Sequence, residues 1–228
     1  MLLGNDVVDR KETGAQDKHL DGRFVGRVFT FEEAAAIRQA TDPTLALWMI
    51  WAAKESVFKV IRKLDPEVVF AHRDFFVGEE FLARIGKAAP SGGRLNSRIV
   101  HKENDFALML NWSEEFVHCL AGWRRRGILH SEELEALTAV RIETMTRIPC
   151  DLSARELDSV HSEESRQVRL LAKRLLGEHH ELHRAELVRE RTLTRFLPPE
   201  VLDEGQPAVG IDLSLSHDGR FVAAAITA

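Results

Sequence analysis

Cysteine is scarce in this chain: Cys119 and Cys150 are the only two among 228 residues, and neither belongs to a CxxC pair. That argues against a disulfide scaffold and a thiolate zinc site, and fits a reducing cytosol. Positive charge is not in excess either. The formal net charge is −5 and the calculated pI about 6.1, so there is no global polyanion-binding signature, though a local basic pocket remains compatible. Long apolar runs are missing too. None reaches the roughly 18 residues that a membrane span needs. The opening MLLGNDVVDRKE turns acidic and polar after three residues, unlike a signal peptide. The expectation is a cytoplasmic protein with neither a nucleic-acid nor a membrane partner. Its length allows one large domain or two small ones, each with a substantial core.

What is present reads as α+β. Leu2–Asp9 contains Val7-Val8 and fits a short strand ending in acids. Thr30 and Glu33 form a capping-box pattern opening a helix through Ala34–Arg38. Asp42-Pro43 starts another, predicted from about Pro43 to Lys63. Val68–Val77, Ser97–His101, Phe106–Asn111 and Phe116–Trp123 read as strands, with Pro90–Gly93 a loop. In the second half, Val140–Ile148 is a candidate strand ended by Pro149. Ser162–Leu176 reads as a helix with Gly177 as its stop. The alternating Val209–His217 and Phe221–Thr227 flank an Asp218-Gly219 hairpin signal. The expected architecture is two similar lobes, 1–125 and 126–228, each with antiparallel strands packed on helices.

The stretch WAAKESVFK, 51–59, is where chemistry enters. Leu45–Ala53 is apolar on every side, as in a buried helix. Yet Lys54, Glu55 and Lys59 follow directly. Trp48, Ala52, Glu55 and Lys59 lie along one stripe, and Glu55 and Lys59 are an i, i+4 pair. One reading is a surface ion pair. The other is an acid on a buried helix that needs a cation, which a metal shared with a second acid can supply. Asp6 and Asp9, in GNDVVD, are acids near a strand end that turn capping would equally explain. His217, in SLSHDG, sits at a hairpin rim, where a capping histidine is the simpler role.

In this order, GND-VVD, WxxKESxxK and SLSH resemble the signature of 4′-phosphopantetheinyl transferases, supported by Phe29–Glu33 and by Gly205-Gln206-Pro207 before the last motif. The resemblance covers both ends and is loose over 65–200. It implies transfer of phosphopantetheine from coenzyme A to a serine of an apo acyl or peptidyl carrier protein, with magnesium, releasing 3′,5′-ADP, in fatty acid or polyketide biosynthesis. By match to the motifs, Asp6 and Glu55 would ligate the metal. Asp9 is a further acid with an open role, as ligand or supporting group. Lys59 would sit by the phosphates, and Lys54 would join the coenzyme contacts. Ser216 and His217 would touch the 3′-phosphate region, and Gln206 and Pro207 the adenine side. Glu55 is the best candidate base for the serine proton, directly or through water. A different class of reading is a non-catalytic coenzyme A or carrier-protein binding module. A third is an unrelated magnesium-dependent phosphohydrolase.

The motif order is that of the family's short, trimeric type, while the length approaches its two-lobed, monomeric type. A circularly permuted two-lobed monomer accounts for both and predicts the SLSH hairpin beside the GND strand. A short-type core with an insertion would instead predict a trimer. The usual lysine of the G-K-P phrase is Gln206 here, and Arg166, Arg169 or Lys173 could compensate. Arg124–Arg126 reads as a surface connection, able to attract an acidic carrier protein. His179, His180 and His183 read as polar surface rather than a zinc site.

Overall fold

The computed structural model describes residues 1–146, 152–192 and 196–228. Cys150 and Pro149 lie outside them. In chain order the elements are β1 (Leu2–Asp9), α1 (Gly22–Val28), α2 (Phe31–Gln39), α3 (Pro43–Leu64), α4 (Glu79–Ile85), β2 (Gly92–His101), β3 (Asn104–Ser113), β4 (Phe116–Trp123), α5 (Ser131–Ala136), β5 (Thr138–Thr144), α6 (Ala154–Leu157), α7 (Glu163–His180), β6 (Glu186–Val188), β7 (Glu200–Asp203), β8 (Gln206–Pro207), β9 (Leu213–Asp218) and β10 (Phe221–Thr227). The protein is α+β, and its sheets are antiparallel. They are a four-stranded sheet in order β1-β4-β3-β2 and two three-stranded sheets, β5-β10-β9 and β6-β7-β8. No described helix is long and apolar enough to cross a membrane.

Helix α3 organises the first sheet. The Asp42 carboxylate accepts the Leu45 N–H, and Pro43 occupies the first turn, where its missing N–H costs nothing. Both faces of the helix are covered. Its buried residues, from Leu45 through Ile61, share a core with β2, β3 and β4 and with Val28, Phe29 and Ile37 of the preceding segment. Gly4 makes the packing of β1 on α3 possible. A Cβ there would meet the Ser56 carbonyl oxygen at 1.9 Å, so only glycine allows this approach. The second core joins α7 (Val168, Leu171, Leu175) to β9 and β10 (Leu213, Val222, Ala224). A third cluster sets Leu3 of β1 and Leu134 of α5 with Ala225 of β10, so apolar packing continues between the sheets.

Three local expectations are corrected. Val68–Val77 is not a strand: it holds a 3-10 turn at His72–Asp74, with only Val77 bridging to Ile99. Its aromatic residues follow ring contacts rather than β alternation, with Phe70 stacked on Phe58 at 4.3 Å and beside His72 at 3.9 Å. Gly177 does not stop α7, which continues to His180 and ends where Glu181 turns left-handed (φ 59°). Gly177 serves close packing instead, since a Cβ would lie 2.9 Å from His183 Nδ1. The Gly92-Gly93 end of the predicted loop belongs to β2, which begins at Gly92.

Candidate functional site

The edge of β1 away from β4 is closed by side chains. The N–H groups of Leu3, Asn5, Val7 and Asp9 donate to Asp212 Oδ2 (2.6 Å), Ser214 Oγ (2.8 Å), Ser216 Oγ (3.1 Å) and Asp218 Oδ2 (2.8 Å). Alternate residues of D-L-S-L-S-H-D therefore satisfy alternate amides of β1, and β9 lies beside the GND strand. Lys63 fastens one end of this seam, donating to Leu3 O, Asp212 Oδ2 and Leu213 O. Asp9 fastens the other. Its carboxylate accepts two bonds from the Arg220 guanidinium, at 2.7 and 2.8 Å, and the N–H groups of Lys11 and Arg220. Burial would raise the Asp9 pKa, but these donors outweigh it and bring it to about 2.

Asp6 and Glu55 are brought together at the middle of the seam. Lys59 Nζ donates to Asp6 Oδ1 (3.0 Å) and to Asn5 O (2.6 Å), and Ser216 Oγ also donates to Asp6 Oδ1 (3.0 Å). Burial, and after it the charge of Asp6, pushes Glu55 up to about 7, against the opposing pull of Lys59 and Arg62. The cations nearby do not fully offset burial and the Asp6 charge at Glu55, so the pair can accommodate a further cation. No described group of three or more histidine, cysteine or acidic side chains could hold a metal by itself. Magnesium does not require one: it commonly takes one or two carboxylates with phosphate oxygens and waters. Among the described residues no donor reaches Asp6 Oδ2, which leaves that oxygen available as a ligand.

Two cavities flank this point. One, of about 160 Å³, is lined by Lys59, Arg62, Lys63, Arg169 and Arg189, by His161 and His217, and by Ser165, Ser214 and Pro198-Pro199, with no acid among its described lining residues. Burial lowers the Arg189 pKa to about 10, and the neighbouring Arg169 and Arg62 charges add to that. Arg169 is 2% exposed and held by hydroxyls and carbonyls of Ser165 and Ser159 rather than by an acid. The cavity is built for several negative charges on one ligand. The other, of about 300 Å³, is lined by Asp6, Glu12, Phe24, Trp48, Trp51 and Asp218, and it shares His217 with the first. Burial lowers the His217 pKa; Glu164 opposes this, and Lys59 and His161 reinforce it. Asp218 is pushed up to about 6, by burial first and then by Glu12, Asp6 and Asp9.

The structure gathers Asp6, Glu55, Lys59, Ser216 and His217, and sets the other candidates elsewhere. Lys54 is fully buried on another face of α3, paired with Glu33 at 2.5 Å. Asp9 is engaged by Arg220. Gln206 and Pro207 are exposed on β8, where Pro207 lines a neighbouring cavity that shares Pro199 and Leu213 with the basic one. Of the basic α7 face, Arg166 lies beside Glu163 (3.9 Å) and Lys173 pairs with Glu156 (3.0 Å), while Arg169 reaches the cavity. Sequence reasoning passed over Arg62, Lys63, His161 and Arg189. Arg62 and Lys63 carried a signal, lying one turn beyond Lys59 on the same helix; Arg189 did not, since only the chain's return over α3 brings it there.

Comparison with known proteins bears on the first part of the chain. Residues 2–91 match the family described as the 4′-phosphopantetheinyl transferase superfamily. A curated relative, a fatty acid synthase alpha subunit (hexA) of Dothistroma septosporum, is 32% identical over 91 residues, which is 40% of this chain and 27% of the relative. The chain thus matches about a quarter of that relative's length.

Proposed function

With its segment 2–91 in the 4′-phosphopantetheinyl transferase superfamily, we propose that this protein transfers 4′-phosphopantetheine from coenzyme A to a serine of an apo acyl or peptidyl carrier protein, releasing 3′,5′-ADP. The observation that carries the proposal is the basic cavity, with no acid among its described lining residues, opening beside the Asp6–Glu55 pair. Coenzyme A concentrates three phosphates at one end, and Arg62, Arg169, Arg189 and Lys63 match that charge. His217 stands at the junction of the two cavities. The carrier serine attacks the β-phosphorus, forming the new phosphodiester as the bond to the departing 3′,5′-ADP breaks. Lys59 stabilises the charge that grows on the phosphoryl oxygens.

Asp6 and Glu55 would hold magnesium, which supplies Lewis-acid polarisation of the pyrophosphate. Beside the Asp6 carboxylate and the junction of the two cavities, Glu55 is the acid placed to accept the serine proton, directly or through a water. We read Asp9 as support for the seam rather than as a ligand. Two lobes, 1–125 and 126–228, permuted within one monomeric chain, account for a site built from β1, α3, α7 and β9. The low cysteine content fits activity in the cytoplasm. For the carrier, exposed Leu20 and Phe31 flank α1 in sequence, and α1 presents the exposed Arg23 and Arg27, residue types that suit an acidic helical partner.

Intact-mass measurement of an apo carrier protein incubated with the protein and coenzyme A, with and without chelator, tests the reading. A chelator-sensitive gain of one phosphopantetheine group is expected. Coenzyme A binding without any gain on several apo carriers would favour a non-catalytic binding module.

A further inference from the structure

Ser214 and Ser216 occupy alternate positions of β9 and perform the same structural task, each accepting a β1 amide. They are equally hidden, at 3% and 5% exposure. Ser216 differs in one respect. Its hydroxyl also donates to Asp6 Oδ1 at 3.0 Å, whereas among the described residues Ser214 meets no carboxylate. Accepting the Val7 N–H orients the Ser216 lone pairs, which directs its proton to Asp6.

The two donors to Asp6, Ser216 and Lys59, both fall on Oδ1. A carboxylate rotates through a broad, two-fold torsional well when nothing holds it. Two donors on one oxygen fix that rotation and leave Oδ2 without a competing hydrogen bond. Lys59 is partly exposed and lines the basic cavity, so it is expected to engage phosphate; Ser216 is buried and remains with Asp6.

We propose that Ser216 is a positioning residue for Asp6, holding its carboxylate so that Oδ2 is presented to a divalent cation. The inference rests on the proposed transferase reading, and it gives Ser216 a role different from coenzyme contact. The orientation of an acid in the first strand then depends on a hydroxyl near the other end of the chain, in β9.

The test uses calorimetric titration of Mn²⁺ into the full-length protein with coenzyme A present and no carrier protein, so no turnover contributes. Ser216→Ala is expected to weaken cation binding about 10-fold or more, the usual effect of removing a bond that orients a ligand. Ser216→Thr restores the hydroxyl and should restore affinity. Ser214→Ala is expected to lower the melting temperature about as much as Ser216→Ala, which reports what loss of a β1 cap alone does to stability. If the alanine variant does not fold, Ser216→Cys keeps the shape with a weaker donor and should show a smaller loss of the same sign. Wild-type cation affinity in Ser216→Ala, or no recovery of affinity in Ser216→Thr, overturns the proposal. So does a loss of coenzyme A affinity in metal-free Ser216→Ala, which would make Ser216 a coenzyme ligand. A wild-type protein that takes up no cation overturns the transferase reading together with this inference.

Discussion

Asp6 and Glu55 form an acid pair in which one member resists ionisation: burial, then the charge of Asp6, holds Glu55 at about 7. The ordinary value is 4.5. Between those values the folded protein keeps a proton that the unfolded chain has released. Stability therefore falls as pH rises from 4.5 to about 7 and stays reduced above it. Glu55→Gln removes this penalty. Its thermal unfolding should match the wild type near pH 4 and exceed it at pH 8, by about 1–2 kcal/mol after allowing for solvent at a half-buried site. Magnesium with coenzyme A should raise wild-type stability at pH 8 by more than coenzyme A alone, while in the variant magnesium should add little to the effect of coenzyme A, and transfer falls at least about 100-fold. A variant less stable than the wild type at pH 8 would contradict the strained-pair account.

Lys54 and Glu33 show the opposite arrangement, a buried pair without strain toward a ligand. Both side chains are fully hidden, and Glu33 also accepts the Thr30 N–H to cap α2. Removing one partner leaves a bare charge in the core. Lys54→Met is expected to cost about 3–5 kcal/mol, and Lys54→Met with Glu33→Gln less than the single change. Chemical denaturation of the three proteins checks this. Coenzyme A affinity of the folded Lys54→Met protein should equal the wild type, which separates Lys54 from the neighbouring Glu55 and Lys59.

How much of this was legible depended on whether the signal was local. The Asp42-Pro43 start of α3, the Thr30–Glu33 capping box and the strand Phe116–Trp123 are written in adjacent residues, and they appear as read. Asp6, Glu55, Lys59 and His217 came from motif order and meet at one place. Lys54 was misread because motif adjacency says nothing about helix face: one residue turns a side chain by about 100°. The alternation Asp212, Ser214, Ser216, Asp218 was visible as β periodicity, but not as a set of caps for β1, because the partner strand lies at the other end of the chain. Val68–Val77 misled because aromatic stacking and strand formation use the same residue types.

The Asp9–Arg220 pair predicts an acid-sensitive seam. Asp9 is about 2 when folded against an ordinary 3.8, so its contribution is present above 3.8 and is lost as pH falls toward about 2. Arg220→Ala removes two of its donors. The variant should melt below the wild type at pH 7, and the gap should narrow below pH 3.8. A constant gap across that range would mean that Arg220 acts through packing on Phe221, which its guanidinium also covers at 5.2 Å.

The basic cavity yields the sharpest test of what the site binds. Arg169 and Arg189 come from the second half of the chain and face Lys59 and Arg62 of α3 across a space whose described lining residues include no acid. Burial first, and then the charges of Arg169 and Arg62, bring Arg189 to about 10, so it is still charged at neutral pH but held at a cost that an anionic ligand would relieve. Arg189→Ala should weaken coenzyme A binding about 10-fold, the scale of a lost charge-assisted hydrogen bond, and should reduce the salt dependence of binding. It should also raise the stability of the ligand-free protein slightly, because one repelling charge is gone. Titration calorimetry at two salt concentrations, paired with thermal unfolding, reads both effects. Binding that weakens without any change in salt dependence would mean that Arg189 shapes the wall of the cavity and does not meet the phosphates.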